Sequence, residues 1–415
     1  MIAFDKYPES RLELFYRLAV LALLCTLAYS LTVSLPLFED DYPYLSLVPS
    51  YGPPSAIPAL LSHPVYRLRA TTIWSIYLLW KLFGFRPWAY HAASLALHIL
   101  NTWLVFAIGR AWPRMRPASF WAAAFFAVAE GHQEAVIWLS AISELWMFLF
   151  GGLALWCWLQ DRRWGVVPFA LALISKESAV IFLPLFFLTA RRDWRRWLPY
   201  LALAAVVTSS VFANQSGSFR FSDGSFSLHA PFRLTWPRGI ARVLWIWGWI
   251  AAAAIWFLAE ERSKRTALIA LLWIAIALLP YSFLTYSAEM PSRHTYLASV
   301  GLAYLVGLAM TVLPDRRLLA AAAALMLVHN VGYISIKKRA QFLERAAPTE
   351  QLIAMARSTS QPIWVRCFPR AGWIAEEAVR FAASRQPSGL VWSEAEARAR
   401  DAADFCYAPS GLHHK

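Results

Sequence analysis

Two adjacent aspartates and two isolated cations are the residues of this sequence best suited to chemistry. Asp40 and Asp41 stand in the segment FEDDY after a long apolar run, and Lys176 and Arg293 stand in short polar segments between apolar runs. A carboxylate beside a second acid has a raised pKa and suits a general base. A lysine offers a phosphate group a point charge, and an arginine offers it a bidentate fork. Together these residues suit a reaction in which a hydroxyl loses its proton while a phosphate departs.

Other polar residues accompany these four and could support the same chemistry. His132 could donate a hydrogen bond to the departing phosphate, and Glu134 and Glu177 could orient the cations. Asp40 and Asp41 could instead hold a divalent metal, Mg²⁺ or Mn²⁺, that bridges the phosphate, so metal-dependent and metal-free action both stay open. The full set of candidates is Asp40, Asp41, His132, Glu134, Glu144, Lys176, Glu177, Arg293 and His294.

Each candidate also has a purely structural interpretation. The acids after the first apolar run could simply begin a solvated loop. His132 and Glu134 could cap the helix that follows them, because a carboxylate is favoured at the positive end of a helix. Glu177 could cap the next helix while Lys176 extends toward water, and Glu144 could be paired inside an apolar helix. Location in the fold must decide between these interpretations and function.

Composition identifies the elements that position these residues as membrane helices. The chain has 415 residues, of which 59% are hydrophobic and 15% are charged, and it carries 22 Trp and 16 Tyr. Soluble domains are about 45–50% apolar, so this composition excludes a soluble globular protein. The net charge of +14 is explained by the accumulation of Lys and Arg in cytoplasmic turns. No motif reads or stacks bases, so nucleic acid is not an expected partner, whereas membrane lipids are.

Basic clusters between the apolar runs predict the topology. Lys6, Arg11 and Arg17 precede the first run, which is too long for a cleaved signal peptide, so the N-terminus is expected in the cytoplasm. With the basic turns inside, the turns at 130–134, 175–177, 215–239 and 288–296 lie outside. The eleven predicted spans lie near 14–37, 89–109, 118–130, 134–158, 165–175, 177–190, 197–214, 240–258, 266–285, 296–313 and 318–335.

The first external loop, residues 38–88, contains an apolar segment at 65–85 that could be mistaken for a further span. Crossing there would invert the positive-inside pattern, so we expect interfacial helices with Arg67, Arg69 and Lys81 in water.

Glu144 lies within a predicted span. This topology places the other candidates on the external face, namely Asp40, Asp41, His132, Glu134, Lys176, Glu177, Arg293 and His294. The turns at 130–134 and 175–177 follow helices only about 20–22 Å long, against a hydrocarbon thickness of about 30 Å. Charged turns at such depth must line a protein cavity, and intramembrane ionisable residues are by default functional. The sequence therefore predicts a polar cavity on the external side as the site.

Five segments, in chain order, resemble motifs of the GT-C superfamily of polytopic glycosyltransferases. The likeness is closest to the transmembrane O-mannosyltransferases that carry tetratricopeptide repeats, and to their bacterial relatives. The segments are FEDDY at 38–42, the run 69–101 with Pro87, His91, His98 and Asn101, GHQEAVIWLSAISEL at 131–145, ISKESAVIFLP at 174–184 and SRHTYLASVG at 292–301.

The resemblance implies transfer of a sugar from a polyprenyl-phosphate donor to a protein, lipid or glycan acceptor, with inversion, at the outer side of a bacterial inner membrane. In that family the acidic pair matching Asp40 and Asp41 acts in the sugar transfer. The sequence departs from the pattern in three ways. Ser292 stands where the family usually has Glu, residues 129–131 replace a His-Pro-containing stretch, and no tetratricopeptide repeats follow.

The C-terminal residues 337–415 differ in character from the rest. Apolar density falls, and the strand-like PIWVRCF is followed by the helix-like WIAEEAVRFAASR. We expect a small α/β appendage on the external side, while residues 1–336 form the transmembrane domain. An oxidising compartment would permit a disulfide between Cys367 and Cys406, whereas Cys25 and Cys157 lie in predicted spans as apolar fillers.

A transporter or lipid flippase is the alternative of a different class, since it would also place ionisable residues in a membrane cavity. Transporters commonly have internal repeats with helices broken at corresponding positions of two halves. This sequence lacks such halves, and its acids cluster at one face. A third alternative, a membrane scaffold without catalysis, predicts that the buried charges are dispensable.

Overall fold

Long apolar helices make up most of this computed structural model, which describes residues 10–190, 192–213, 227, 230–284, 290–384, 386 and 389–408. Within these ranges eight helical segments are long and apolar enough to cross a membrane. The helices are α1 Arg11–Tyr29, α2 Asp41–Ser46, α3 Val48–Tyr51, α4 Ile57–Ser62, α5 Ala70–Phe83, α6 Pro87–Ala111, α7 Ser119–Val128, α8 Gln133–Ile137, α9 Ile142–Leu159, α10 Val166–Ser175, α11 Phe182–Thr189, α12 Trp194–Ala213, α13 Phe232–Leu258, α14 Glu261–Leu278, α15 Tyr296–Val312, α16 Arg316–Gly332, α17 Arg339–Ser358, α18 Gly372–Ala382 and α19 Glu394–Ala399.

Each of the eleven predicted spans overlaps a helix of the structure. Eight of these helices could cross a bilayer by length and composition, whereas α7, α10 and α11 have only 8 to 10 residues each. The three short helices flank the polar turns that the sequence places at depth. The number of helices that cross the membrane stays a prediction, and most of the external loop expected at 215–239 lies outside the described residues.

Helix α15 forms the centre of the bundle. Every residue from Tyr296 to Met310 is buried, because helices surround it on all sides. Two glycines allow the close approach of neighbouring backbones: a Cβ on Gly301 would lie 2.8 Å from the carbonyl oxygen of Ala270, and one on Gly307 would lie 2.7 Å from that of Ala118. Small residues at such contacts are typical of membrane helix packing.

Between α1 and α6 the chain folds into short helices, α2 to α5, in agreement with an external loop. Helix α5 ends where Gly84 adopts a positive φ of 62°, which glycine tolerates without strain. At 14 residues α5 falls short of the hydrocarbon thickness. One residue of this segment differs from expectation: Arg69 is 9% exposed and does not lie in water, because it forms an ion pair with Glu177.

The C-terminal domain is a small α/β unit with its own core. Strands β1 Ile363–Cys367, β2 Leu390–Val391 and β3 Ala403–Cys406 form a parallel sheet in the order β2-β1-β3, with Ile363 opposite both Leu390 and Ala403. Apolar residues of α17, α18 and the strands form the core, namely Leu352, Ala356, Ile363, Val365, Ala375, Val379, Leu390 and Phe405. The predicted fold class, an all-α membrane protein with a small α/β appendage, is therefore confirmed.

Two details of the C-terminal domain bear on the sequence predictions. Cys367 of β1 and Cys406 of β3 are joined by a disulfide with a Cα–Cα distance of 4.6 Å, while Cys25 and Cys157 are free and buried. The chain is helical without a break from Arg316 to Ser358, so the predicted domain boundary at residue 336 falls inside a helix. The C-terminal domain is thus joined to the membrane helices by a continuous helical segment.

Candidate active site

Asp41 anchors the acidic segment at the start of α2. Its side chain is fully buried, and one carboxylate oxygen accepts a hydrogen bond from the Phe38 backbone N–H at 3.1 Å. The other accepts from the backbone N–H and the hydroxyl of Ser140 at 2.8 and 2.9 Å. Burial raises the pKa of Asp41 to about 7, against the opposing effect of these hydrogen bonds. One oxygen is therefore committed within the acidic segment, and the other ties that segment to the turn before α9.

Asp40 has the opposite character. It is partly exposed, and no described residue forms a hydrogen bond or an ion pair with its carboxylate. Burial, together with the negative charge of Glu39, raises the pKa of Asp40, while Arg293, Arg345 and Arg370 act to lower it. Asp40 is thus an available carboxylate with a raised pKa, and three arginines act on it.

The arginines around Asp40 belong to a network with two glutamates. Arg345 bonds Glu39 at 2.5 and 3.2 Å and Glu134 at 3.0 Å, so it bridges the two acids. Arg370 pairs with Glu39 at 2.8 Å. Glu134 also accepts a hydrogen bond from the Arg293 backbone at 3.2 Å and pairs with its guanidinium at 3.4 Å. Glu134 and Glu39 are therefore each paired with two arginines, and the role of Glu134 in orienting a cation stays a prediction.

A second, fully buried group surrounds Lys176. Its ammonium pairs with Glu144, whose carboxylate also lies 2.9 Å from His294 Nδ1 and accepts a hydrogen bond from the Tyr281 hydroxyl at 3.0 Å. The rings of Tyr281 and His294 are stacked with centroids 4.4 Å apart. Glu144 and Lys176 are 1% and 4% exposed, so this is an ion pair of the protein interior. Four sequence-distant segments meet in it.

Glu177 lies beside this group and faces the external loop. It pairs with both terminal nitrogens of Arg69, at 2.5 and 3.4 Å. The hydroxyl of Thr71 donates to that of Ser175 at 2.9 Å next to it. These contacts fix the turn that carries Lys176 against the start of α5.

His132 lies apart from the other candidates. Its ring is fully buried among Phe126, Tyr296 and His98, at centroid distances of 4.8, 4.9 and 5.3 Å. Neither ring nitrogen has a hydrogen-bond partner among the described residues. Because residues two apart on a helical turn point to different sides, Glu134 faces Arg293 and Arg345 while His132 faces the aromatic core.

A cavity of about 670 Å³ borders the turns that carry Arg293 and Glu134. Its polar lining includes Gln133, Ser292 and Thr295 from those turns, and three cations that the sequence had not singled out: Arg238, Arg242 and Lys338. One carboxylate, Glu130, also lines the cavity, close enough to Lys338 and Arg242 for their charges to interact. Much of the remaining wall is apolar or aromatic, with α13 and α15 contributing Val243, Leu244, Trp245, Trp247 and Leu302. The cavity thus combines an apolar surface with positive charge, as an amphiphilic anion would require.

Most of the carboxylates near Asp40 are already engaged by other groups of the protein. Within the described ranges no group of three or more His, Cys, Asp or Glu could hold a metal ion. Asp41 is satisfied by Ser140 and Phe38, and Glu39 and Glu134 are neutralised by arginines. Of these carboxylates only Asp40 has no partner among the described residues, and Mg²⁺ is commonly held by one or two carboxylates together with waters and substrate phosphates.

Comparison with known proteins gives a fold and one short sequence match. No family model matches the sequence. A stretch of 105 residues is 34% identical to the protein O-mannosyl-transferase Tmtc1 of Drosophila melanogaster, and it covers 23% of this chain but only 12% of the fly protein.

Two solved structures resemble most of the chain. The archaeal oligosaccharyltransferase AglB from Archaeoglobus fulgidus, in complex with an inhibitory peptide and a dolichol-phosphate, is 13% identical, with a TM-score of 0.53 over 91% of this chain and 64% of AglB. ArnT from Cupriavidus metallidurans, bound to undecaprenyl phosphate, is 14% identical, with a TM-score of 0.54 over 95% of this chain and 90% of ArnT. The protein is thus an integral membrane protein that shares the overall fold of AglB and ArnT, in agreement with the GT-C-like fold that its motifs predicted.

Proposed function

We propose that the protein is a membrane glycosyltransferase that transfers a sugar from a polyprenyl-phosphate donor to an acceptor. The observation that carries the proposal is Asp40, a partly exposed carboxylate without a partner among the described residues, close to three arginines and to the turns that border the cationic cavity. The similarity to an oligosaccharyltransferase with dolichol-phosphate and to ArnT with undecaprenyl phosphate supports the nature of the donor. The match to an O-mannosyl-transferase supports a hexose as the sugar.

Asp40 is the general base of the proposed reaction. It takes the proton from the acceptor group while the acceptor atom forms a bond to the anomeric carbon of the sugar. The bond between that carbon and the phosphate oxygen breaks, and its electrons leave with the lipid phosphate. A single displacement of this kind inverts the anomeric configuration. A raised pKa improves Asp40 as a base, because proton transfer is most efficient when the pKa lies near the working pH.

The cavity beside Arg293 is the proposed place of the donor phosphate. Arg293 acts electrostatically on Asp40 and adjoins Ser292 of the cavity lining, and Arg238, Arg242 and Lys338 add positive charge at the wall. Such cations stabilise the negative charge that develops on the phosphate as the bond breaks, and they do so more strongly where water is excluded. The apolar wall formed by α13 and α15 would receive the start of the isoprenoid tail.

The other candidates have supporting roles in this proposal. Lys176 is neutralised by Glu144 in the buried group, so we assign to Lys176, Glu144 and His294 the positioning of the polar turns. Glu177 acts in the same way through Arg69. His132 is left out of the phosphate set because its ring faces the aromatic core.

We further propose that the site and the C-terminus lie outside the cytoplasm, with the N-terminus inside, as in a bacterial inner membrane. The positive-inside pattern supports this orientation. The disulfide between Cys367 and Cys406 supports it independently, because disulfides persist in oxidising compartments.

The test is a reaction with purified protein in lipid, a radiolabelled polyprenyl-phosphate sugar, and peptide, lipid and glycan acceptors. The proposal predicts release of polyprenyl phosphate together with transfer of label to one acceptor class. Movement of intact donor across the bilayer without loss of its sugar would instead indicate a flippase and would refute the proposal.

A further inference from the structure

We propose that the C-terminal domain completes the active site: Arg345 and Arg370 are positioning residues that hold the acidic segment and set the charge around Asp40. The inference rests on the proposed function, because it concerns the base of that reaction. It assigns the appendage a part in the reaction that its sequence gave no reason to expect.

Both arginines reach across from the C-terminal domain to one carboxylate of the first external loop. Arg345 extends from α17 and bonds both oxygens of Glu39, at 2.5 and 3.2 Å. Arg370 extends from the loop between β1 and α18 and pairs with Glu39 at 2.8 Å. Paired guanidinium and carboxylate groups of this kind fix geometry as well as charge.

The backbone at Glu39 explains why such a hold is needed. Its φ is +50°, in the left-handed region that residues with a Cβ rarely adopt. Strained conformations persist only where the surroundings determine them, and they gather at functional sites. Because Glu39 directly precedes Asp40, the two arginines that fix Glu39 also fix the direction in which the Asp40 side chain leaves the backbone.

Arg345 is held by packing, and the domain that carries both arginines is docked on the external loop. The Arg345 guanidinium lies over the rings of Trp138, Phe38 and Phe342, 4.7 to 5.3 Å from their centroids. Helix α18 packs on α2, and Phe381 meets Trp80 edge-on at 5.5 Å.

Arg370 follows the disulfide-bonded Cys367 by three residues, so the covalent link between β1 and β3 lies at the base of its loop. The domain is thus docked on the acidic segment by side chains from two separate elements.

The charges that face Asp40 come from three further elements. Glu39 lies on its own segment, and Arg293, Arg345 and Arg370 act on it from the turn before α15, from α17 and from the loop after β1. Asp41 adjoins it, and Glu134 of α8 partly balances Arg293 and Arg345. Replacement of Arg345 or Arg370 by a neutral residue takes away a positive charge that stabilises the ionised form of Asp40, so the pKa of Asp40 rises.

The experiment compares the pH dependence of kcat in full-length wild type, Arg370→Met and the control Arg366→Met. Arg366 lies on β1 of the same domain, is more than half exposed, and pairs with Asp404 at 3.2 Å instead of with the acidic segment. We expect the acid limb of the Arg370→Met profile to shift to higher pH by about one unit, so that kcat on the acid side falls by about tenfold. Arg370→Lys keeps the charge and should restore the wild-type limb, which a merely structural role would not explain.

Glu39→Gln provides a second test that does not depend on the folding of the arginine variants. It removes the negative neighbour of Asp40, so the acid limb should move to lower pH. If the wild type transfers sugar and the pH profiles of Arg370→Met and Glu39→Gln superimpose on the wild-type profile, this inference is wrong while the proposed function stands. A wild-type protein that transfers no sugar would instead refute the proposed function.

Discussion

Breaking one half of the buried ion pair between Glu144 and Lys176 is expected to destabilise the protein more than removing both charges together. The two side chains are 1% and 4% exposed, and Glu144 also contacts His294 and Tyr281. Removal of one partner from a buried pair leaves an uncompensated charge and costs about 3–5 kcal/mol, whereas replacement of both partners is often close to neutral. We therefore expect Glu144→Gln and Lys176→Met each to lower the free energy of unfolding by about that amount.

The double variant is the decisive one. Glu144→Gln with Lys176→Met should be less destabilised than either single variant, so relative to the sum of the single effects it should recover more than about 3 kcal/mol, because no uncompensated charge remains. Unfolding by denaturant in mixed micelles, followed by tryptophan fluorescence, measures these free energies. The exposed pair of Glu261 and Lys264, 3.1 Å apart, is the matched control, and its charge removals should change stability by less than about 1 kcal/mol.

Strictly additive effects of the two buried substitutions would contradict the reasoning, because they would mean that the charges do not stabilise each other. Sugar transfer by the folded double variant then separates the two roles considered for Lys176. Retained activity agrees with a positioning role, and lost activity would favour direct contact with the donor phosphate.

Two further predictions concern metal and disulfide. Treatment of purified protein with EDTA should leave the rate of sugar transfer unchanged, because Asp41, Glu39 and Glu134 already have backbone, serine or arginine partners. A loss of rate that Mg²⁺ or Mn²⁺ restores would contradict this prediction. Replacement of Cys367 and Cys406 by serine should lower the stability of the C-terminal domain by about 2–4 kcal/mol, measured by limited proteolysis of that domain, and unchanged protection would refute it.

The positions of the membrane helices could be predicted from sequence because lipid imposes a strong rule. Backbone polar groups must be satisfied within the bilayer, so each span is an apolar helix bounded by charged turns. The predicted topology also grouped Glu134, Lys176 and Arg293 on one face of the membrane. It could not give the direction of His132, because the start of α8 rotates that ring away from Glu134 toward Phe126.

The residues that the sequence did not reveal act through long-range contacts. Arg345 and Arg370 lie some three hundred positions after Glu39 and look like ordinary charges of a mixed C-terminal region. Tyr281 lies at the end of an apolar run, and Ser140 in an apolar turn, so neither carries a local signal of its hydrogen bond to an acid. Only the packing of separate elements brings these residues to the site.

The assignment of Asp40 as the base is tested most directly by Asp40→Asn in the reconstituted transfer reaction. Asparagine keeps the shape of the side chain but cannot accept the acceptor's proton, so kcat should fall by about 10²- to 10⁴-fold while the unfolding transition stays in place. Asp315→Asn, at an exposed helix cap where asparagine serves as well, is the control and should keep full activity. Wild-type kcat in a folded Asp40→Asn protein would contradict the account.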